Sequence, residues 1–99
     1  MKILKNVFDP HALDKEPGVL IMNAGDKILS VQTQIINRYQ KLSIWWAAFG
    51  KSDAVATYMI HSVETGGQVP AEWAEHYIGT VQFIFGDGEY IMHVFAVPN

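Results

Sequence analysis

No cysteine occurs in the 99 residues, which excludes disulfides, thiolate nucleophiles and cysteine-based zinc sites. A chain this small must then hold together by packing or by association with further copies. No apolar run approaches the ~20 residues that span a bilayer. In MKILKNVFDP, Asn6, Asp9 and Pro10 interrupt the run before a signal core of ~7–15 residues forms. A soluble cytoplasmic protein with no membrane partner is expected.

Basic residues are missing from the second half. All seven Lys and Arg lie at or before Lys51, and from Ser52 onward stand six acids (Asp53, Glu64, Glu72, Glu75, Asp87, Glu89). The first part sums to +3 and the second to -6. A duplex-binding surface needs clustered cations to release counterions, so duplex nucleic acid is not an expected partner. An anionic ligand is met by the first half, or the two halves complement each other within the fold or across an interface. Charged residues make up 17% and hydrophobic ones 49%, against ~25% charged in ordinary soluble domains. That surplus implies either a large core or a surface covered by a second copy, and a homo-oligomer is the expectation.

What is present is strand sequence. Residues 79–97, GTVQFIFGDGEYIMHVFAV, read as a β-hairpin about Gly86-Asp87-Gly88, whose glycines accept positive φ. Met1 to Phe8 is a further strand, ended by Asp9-Pro10. The polar stretch His11 to Gly18 has room for one helical turn. Val19 to Met22 is a short strand. Lys27 to Ile36 alternates, with Leu29, Val31, Thr33 and Ile35 on one face and Ile28, Ser30, Gln32 and Gln34 on the other. Lys41 to Phe49 and Val55 to Val63 are strands. Trp45 and Trp46 are adjacent, so they point to opposite faces. One enters the core; the other meets a second sheet, a partner or a ligand. Pro70 and the acids after it predict a short helical turn near 70–76. Strands about ten residues apart with turns between them predict a mainly β fold. That fold is an antiparallel sandwich or small open barrel of six to seven strands, with residues 1–99 as one β-rich domain.

From Gly25 onward the chain resembles a small family of phage, prophage and bacterial proteins of unknown function. The matching pieces are Lys27-Ile28-Leu29-Ser30-Val31-Gln32, Ile44-Trp45-Trp46-Ala47, Gly66-Gly67-Gln68-Val69-Pro70, Tyr77-Ile78-Gly79-Thr80-Val81-Gln82 and His93-Val94-Phe95. The usual Gly-Thr-Gly loop with a following His is replaced by Glu64-Thr65-Gly66-Gly67. The resemblance implies a β-rich accessory protein, phage-borne and placed in the host cytoplasm. It implies no activity.

The chemical constellations are sparse. His61, His76 and His93 stand in no metal-pair spacing, so hydrogen-bonded structural histidines are expected and no metal or cofactor. Glu72 and His76, at i and i+4, share a face if the segment is α-helical; a solvated helix face explains them equally. Ser30, Ser43, Ser52 and Ser62 have no nucleophile elbow. Gly86-Asp87-Gly88 lacks the Lys-Ser/Thr of a phosphate loop.

One cluster has a binding character: Arg38, Tyr39 and Lys41 supply bidentate donors, a stacking face and a point charge. Lys51 lies about 30 Å away along a straight strand. The expected ligand-binding set is Arg38, Tyr39, Lys41, Trp45 and Trp73, with Trp45 or Trp73 joining Arg38 at subunit boundaries. No catalytic residue is assigned. The reading is a non-enzymatic, homo-oligomeric binding protein that counters host defence by capturing a defence protein or a small nucleotide signal. The alternatives are a virion accessory protein or a small enzyme using Glu72 and His76.

Overall fold

The computed structural model describes residues 1–86 and 88–99. Asp87, the middle of the expected Gly86-Asp87-Gly88 turn, lies outside the described residues. Strand β1 (Lys2–Phe8) stops where Asp9 caps the four-residue helix α1 (Pro10–Leu13), its carboxylate accepting from the His11 amide at 3.0 Å. Pro10 holds the first helical position, where a missing N–H costs nothing. The chain continues through β2 (Gly18–Asn23), β3 (Lys27–Ile36), β4 (Tyr39–Ala48), β5 (Val55–Glu64), a 3-10 helix (Ala71–His76), β6 (Tyr77–Phe85) and β7 (Gly88–Pro98). The mainly β fold with one helical turn near 70–76 is the one the sequence predicts.

Two antiparallel sheets form a curled half-barrel. The first has the order β1-β4-β3 and the second β2-β5-β7-β6. They meet along a seam between β3 and β6. Val31 lies against Gly79, the Thr33 hydroxyl donates to the Gln82 carbonyl at 2.6 Å, and Gln40 holds Ile84 at both its N–H and its C=O. Numbers rise together along the seam, so the two strands run parallel. Gln40, from the start of β4, bridges the two sheets because a primary amide offers the same donor and acceptor as a peptide group. Gly79 is required there: a Cβ at that position would stand 2.4 Å from Val31 Cγ1.

The core fills the space inside the curl. Leu42, Ile44 and Trp46 enter from β4, Leu20 and Met22 from β2, Ile60 from β5, Val81 and Phe83 from β6, and Met92, Val94 and Ala96 from β7. Each large side chain among them stabilises the fold by roughly 1.5–3 kcal/mol relative to exposure. Leu13 of α1 closes one end.

Trp46 is the core tryptophan, 8% exposed, with its indole N–H donated to Asn6 Oδ1 at 2.9 Å. Trp45 lies half-buried on the outer face of the first sheet.

Two expectations change. The alternation of β3 breaks at Leu29, where the register with β4 shifts between Ile28 and Ser30. Ile28 and Val31 both pack on the core, while Leu29 is exposed. The extra residue of a bulge reverses the phase of everything before it. The connection expected over residues 37–40 shrinks to Asn37 and Arg38, at φ 51° and 72°. Two successive positive φ values make the tight hairpin turn whose twist matches its strands, so β4 already begins at Tyr39.

Candidate functional site

Where β1 ends and β4 begins, the ladder sets Asp9 next to Lys41, with Lys41 Nζ 4.0 Å from the Asp9 carboxylate. The cap on α1 fixes His11 beside them, and its ring lies tilted against Phe85, from the end of β6, at 4.9 Å between centroids. Tyr39, 69% exposed, adds a third ring, with Lys41 Nζ 5.8 Å from its centroid. Asp9, His11, Tyr39, Gln40, Lys41 and Phe85 enclose a cleft of about 360 Å³. The amide of Gln40 is committed to Ile84, so a ligand meets the Lys41 ammonium, for which it competes with the Asp9 carboxylate, together with the imidazole, the phenol and the flat aromatic walls. That set suits a planar anion: a charge to pair with and rings to stack on.

Of the expected binding residues, Tyr39 and Lys41 come together in this cleft. Arg38 precedes them in the turn, and it does so at φ 72°, in a region costly for a side chain with a Cβ. Trp45 stands six residues along the same strand, about 20 Å from Tyr39. Its neighbour is Lys5, whose Nζ lies 5.6 Å from the ring centroid and donates to Gln34 Oε1 at 3.0 Å. Trp73 belongs to the 3-10 helix, which packs on the second sheet; its ring lies tilted against His61 at 4.2 Å between centroids and faces Phe95 at 5.8 Å. Among the described residues, Arg38, Trp45 and Trp73 lie in three separate parts of the chain: the β3–β4 turn, the middle of β4 and the 3-10 helix.

Asp9, His11, Gln40 and Phe85 are the cleft residues that sequence reasoning missed. Only the Asp9-Pro10 cap signalled anything, by pinning His11 to the start of a turn.

The remaining polar groups are mostly tied. His93 is hydrogen-bonded on both ring nitrogens, to Thr65 Oγ1 at 2.8 Å and to Thr80 Oγ1 at 2.9 Å. It is the hydrogen-bonded histidine that its apolar setting predicts. Burial against Trp73 lowers the pKa of His61 below its usual 6.5. The Tyr90 phenol bonds to Glu64 and, at 2.9 Å, to Asp14; the Glu64 bond above all, then burial, raises its pKa strongly.

A second cleft of about 240 Å³ holds Glu75 and His76 with Asp26, Lys27 and Tyr58. The Asp26 carboxylate is occupied by the Asn23 and Phe49 amides, both at 3.0 Å. Glu72 does not line this cleft. Its segment is a 3-10 helix, in which residues three apart eclipse, so Glu72 and His76 sit about a third of a turn out of alignment. Among the described residues no group of three His, Asp or Glu is arranged to hold a metal ion, and no helix is long and apolar enough to cross a membrane.

A family model described as a domain of unknown function, DUF7352, matches residues 1–99. Searches of the curated proteins and of the solved structures find no match.

Proposed function

The chain belongs to the DUF7352 family, and from that premise we propose that it is a non-enzymatic binding protein that takes a nucleotide-like anion at the Tyr39–Lys41 cleft. One observation carries this reading. Two residues chosen from sequence for charge and stacking fall into one cleft of about 360 Å³, and a His11–Phe85 aromatic pair completes its wall. The left-handed Arg38 beside it supports the same reading, because an arginine kept where glycine is easier needs a reason outside stability. The resemblance to phage and prophage proteins supplies the setting: an accessory protein in the host cytoplasm that sequesters a nucleotide signal. The exposed apolar side chains Val19, Ile21, Ile35 and Ile84 support a homo-oligomer.

A second reading has its own observation. The outer face of the second sheet presents Val19, Ile21 and Ile84, with Glu89 exposed on β7 and Glu72 and Glu75 exposed on the 3-10 helix. A basic defence protein fits such a face.

Calorimetric titration with mononucleotides and cyclic dinucleotides tests the first reading. At least one should bind, and Tyr39→Ala and Lys41→Glu should each weaken it about tenfold or more, the usual worth of a charge-assisted contact, while Trp73→Ala leaves it unchanged. A flat titration with every nucleotide, or binding indifferent to both substitutions, overturns it. Light scattering tests the oligomer: a monomer at all concentrations removes the shared-pocket form of the proposal.

A further inference from the structure

The cleft is one end of a longer feature. On the outer face of the first sheet, β4 presents Tyr39, Lys41, Ser43, Trp45 and Ala47 in alternation, and Phe49 follows just past the strand. Three of these positions are aromatic, and each ring has a lysine ammonium over it. Lys41 lies 5.8 Å from Tyr39, Lys5 5.6 Å from Trp45 and Lys51 5.3 Å from Phe49. The row from Tyr39 to Phe49 is about 33 Å long. Between the rings stand Ser43 and Ala47, both small and fully shielded.

The charge on this sheet has one sign. Strands β1, β3 and β4 contain Lys2, Lys5, Lys27 and Lys41 and no Asp or Glu. Asp9 and Asp26 border the row at its two ends, one near Lys41 and the other bonded to the Phe49 amide. Strands β2, β5, β6 and β7 contain no Lys or Arg. A polyanion is therefore attracted to one face of the molecule and repelled from the other.

Both features constrain the occupant. An apolar protein surface would desolvate three ammonium groups, of which Lys41 has only the 4.0 Å contact to Asp9 and Lys5 only the neutral Gln34 amide oxygen to offset the loss of water. A duplex offers phosphates but keeps its bases stacked inside, so the rings gain nothing. A single strand offers both: phosphates for the lysines and free base faces for the rings. We propose that the outer face of the first sheet, along the row Tyr39–Trp45–Phe49, binds single-stranded nucleic acid, with Lys5, Lys41 and Lys51 on its phosphates. The proposal extends the nucleotide reading of the Tyr39–Lys41 cleft, which supplies the first position of the row.

Fluorescence anisotropy with a labelled 20-mer of oligodeoxythymidine tests it, with thymidine monophosphate, a duplex of equal length and polyglutamate as comparators. The 20-mer should bind more tightly than all three. Its log K should fall with log salt at a slope of about -0.7 per phosphate neutralised, hence about -2 for three lysines. Trp45→Ala should cost about tenfold in affinity, Trp45→Phe should keep most of the binding, and Lys5→Glu should flatten the salt slope. Trp73→Ala, on the other sheet, should change nothing. If the monophosphate binds as well as the 20-mer and Trp45→Phe and Trp45→Ala both leave binding intact, the row is overturned while the cleft stands. If neither ligand binds at low salt, both readings fail. If polyglutamate competes equally, the face recognises acidic polypeptide and the proposal is wrong.

Discussion

The two sheets of this half-barrel share one core and have opposite outer faces. The first carries lysines paired with aromatic rings and has no acid on its strands. The second carries glutamates, exposed aliphatic side chains and an aromatic cluster in which Trp73 covers His61 and Phe95. The two neighbouring tryptophans of β4 teach the same lesson at the scale of one dipeptide. Trp46 fixes the fold from inside, and Trp45 is left to meet whatever comes from outside. The split of charge along the sequence is thus a split between two surfaces.

The comparison is broken most severely inside. Trp46→Ala should destabilise the fold by about 3–5 kcal/mol, because it leaves a large cavity and an unpaired Asn6, whereas Trp45→Ala should change stability by under about 1 kcal/mol. Denaturant melts of both variants check this, and equal losses would show that the two faces are not distinct.

Joining the sheets comes next. Gly79→Val should cost about 1–3 kcal/mol by overpacking against Val31, and amide exchange should rise first at the seam, in β3 and β6.

Smaller effects sharpen the roles of single side chains. Arg38→Gly should stabilise by about 1 kcal/mol through release of the left-handed arginine, and it should weaken nucleotide binding. A gain in stability with full binding would assign Arg38 no part in the site. Tyr90→Phe should cost about 1 kcal/mol, the worth of an ordinary hydrogen bond, by stripping Asp14 and Glu64 of their shared donor. The raised phenol pKa means that the wild type loses this stability as pH rises above about 10, the unfolded value. The variant should lack that loss.

The smallest effect concerns His61. Its lowered pKa means that the unfolded chain takes up the proton first, so stability should decline as pH falls through 6.5. Trp73→Ala exposes the ring and should flatten the decline, which melts at pH 5 and pH 7 would show.

Much of the fold was legible because β-branched and aromatic runs announce strands and glycine or proline pairs announce their ends. The range Lys27–Ile36 agrees with β3 to the residue. What stayed hidden depends on tertiary partners. The bulge at Leu29 leaves no trace, because an apolar residue fits either face of an alternating pattern. The seam rests on Gln40 reaching Ile84, 44 positions away. In the candidate site, Tyr39 and Lys41 could be picked out as neighbours of complementary chemistry. His11 and Phe85 could not, since only folding brings a helix cap and a strand end to the same cleft. The parity of Trp45 and Trp46 was plain from sequence, but which of them faces inward is decided by the strands on either side of β4.

The most direct test of the account is a proton–nitrogen correlation spectrum of the labelled protein, titrated with the 20-mer of oligodeoxythymidine. Three tryptophan indole signals report the core and both faces at once. If the outer face of the first sheet takes the strand, the Trp45 indole and the amides of β1 and β4 shift, while those of Trp46, held by Asn6, and Trp73, packed on the second sheet, stay in place. Shifts centred on Trp73 and its neighbours Phe95 and Tyr77, or no shifts at all, would contradict it.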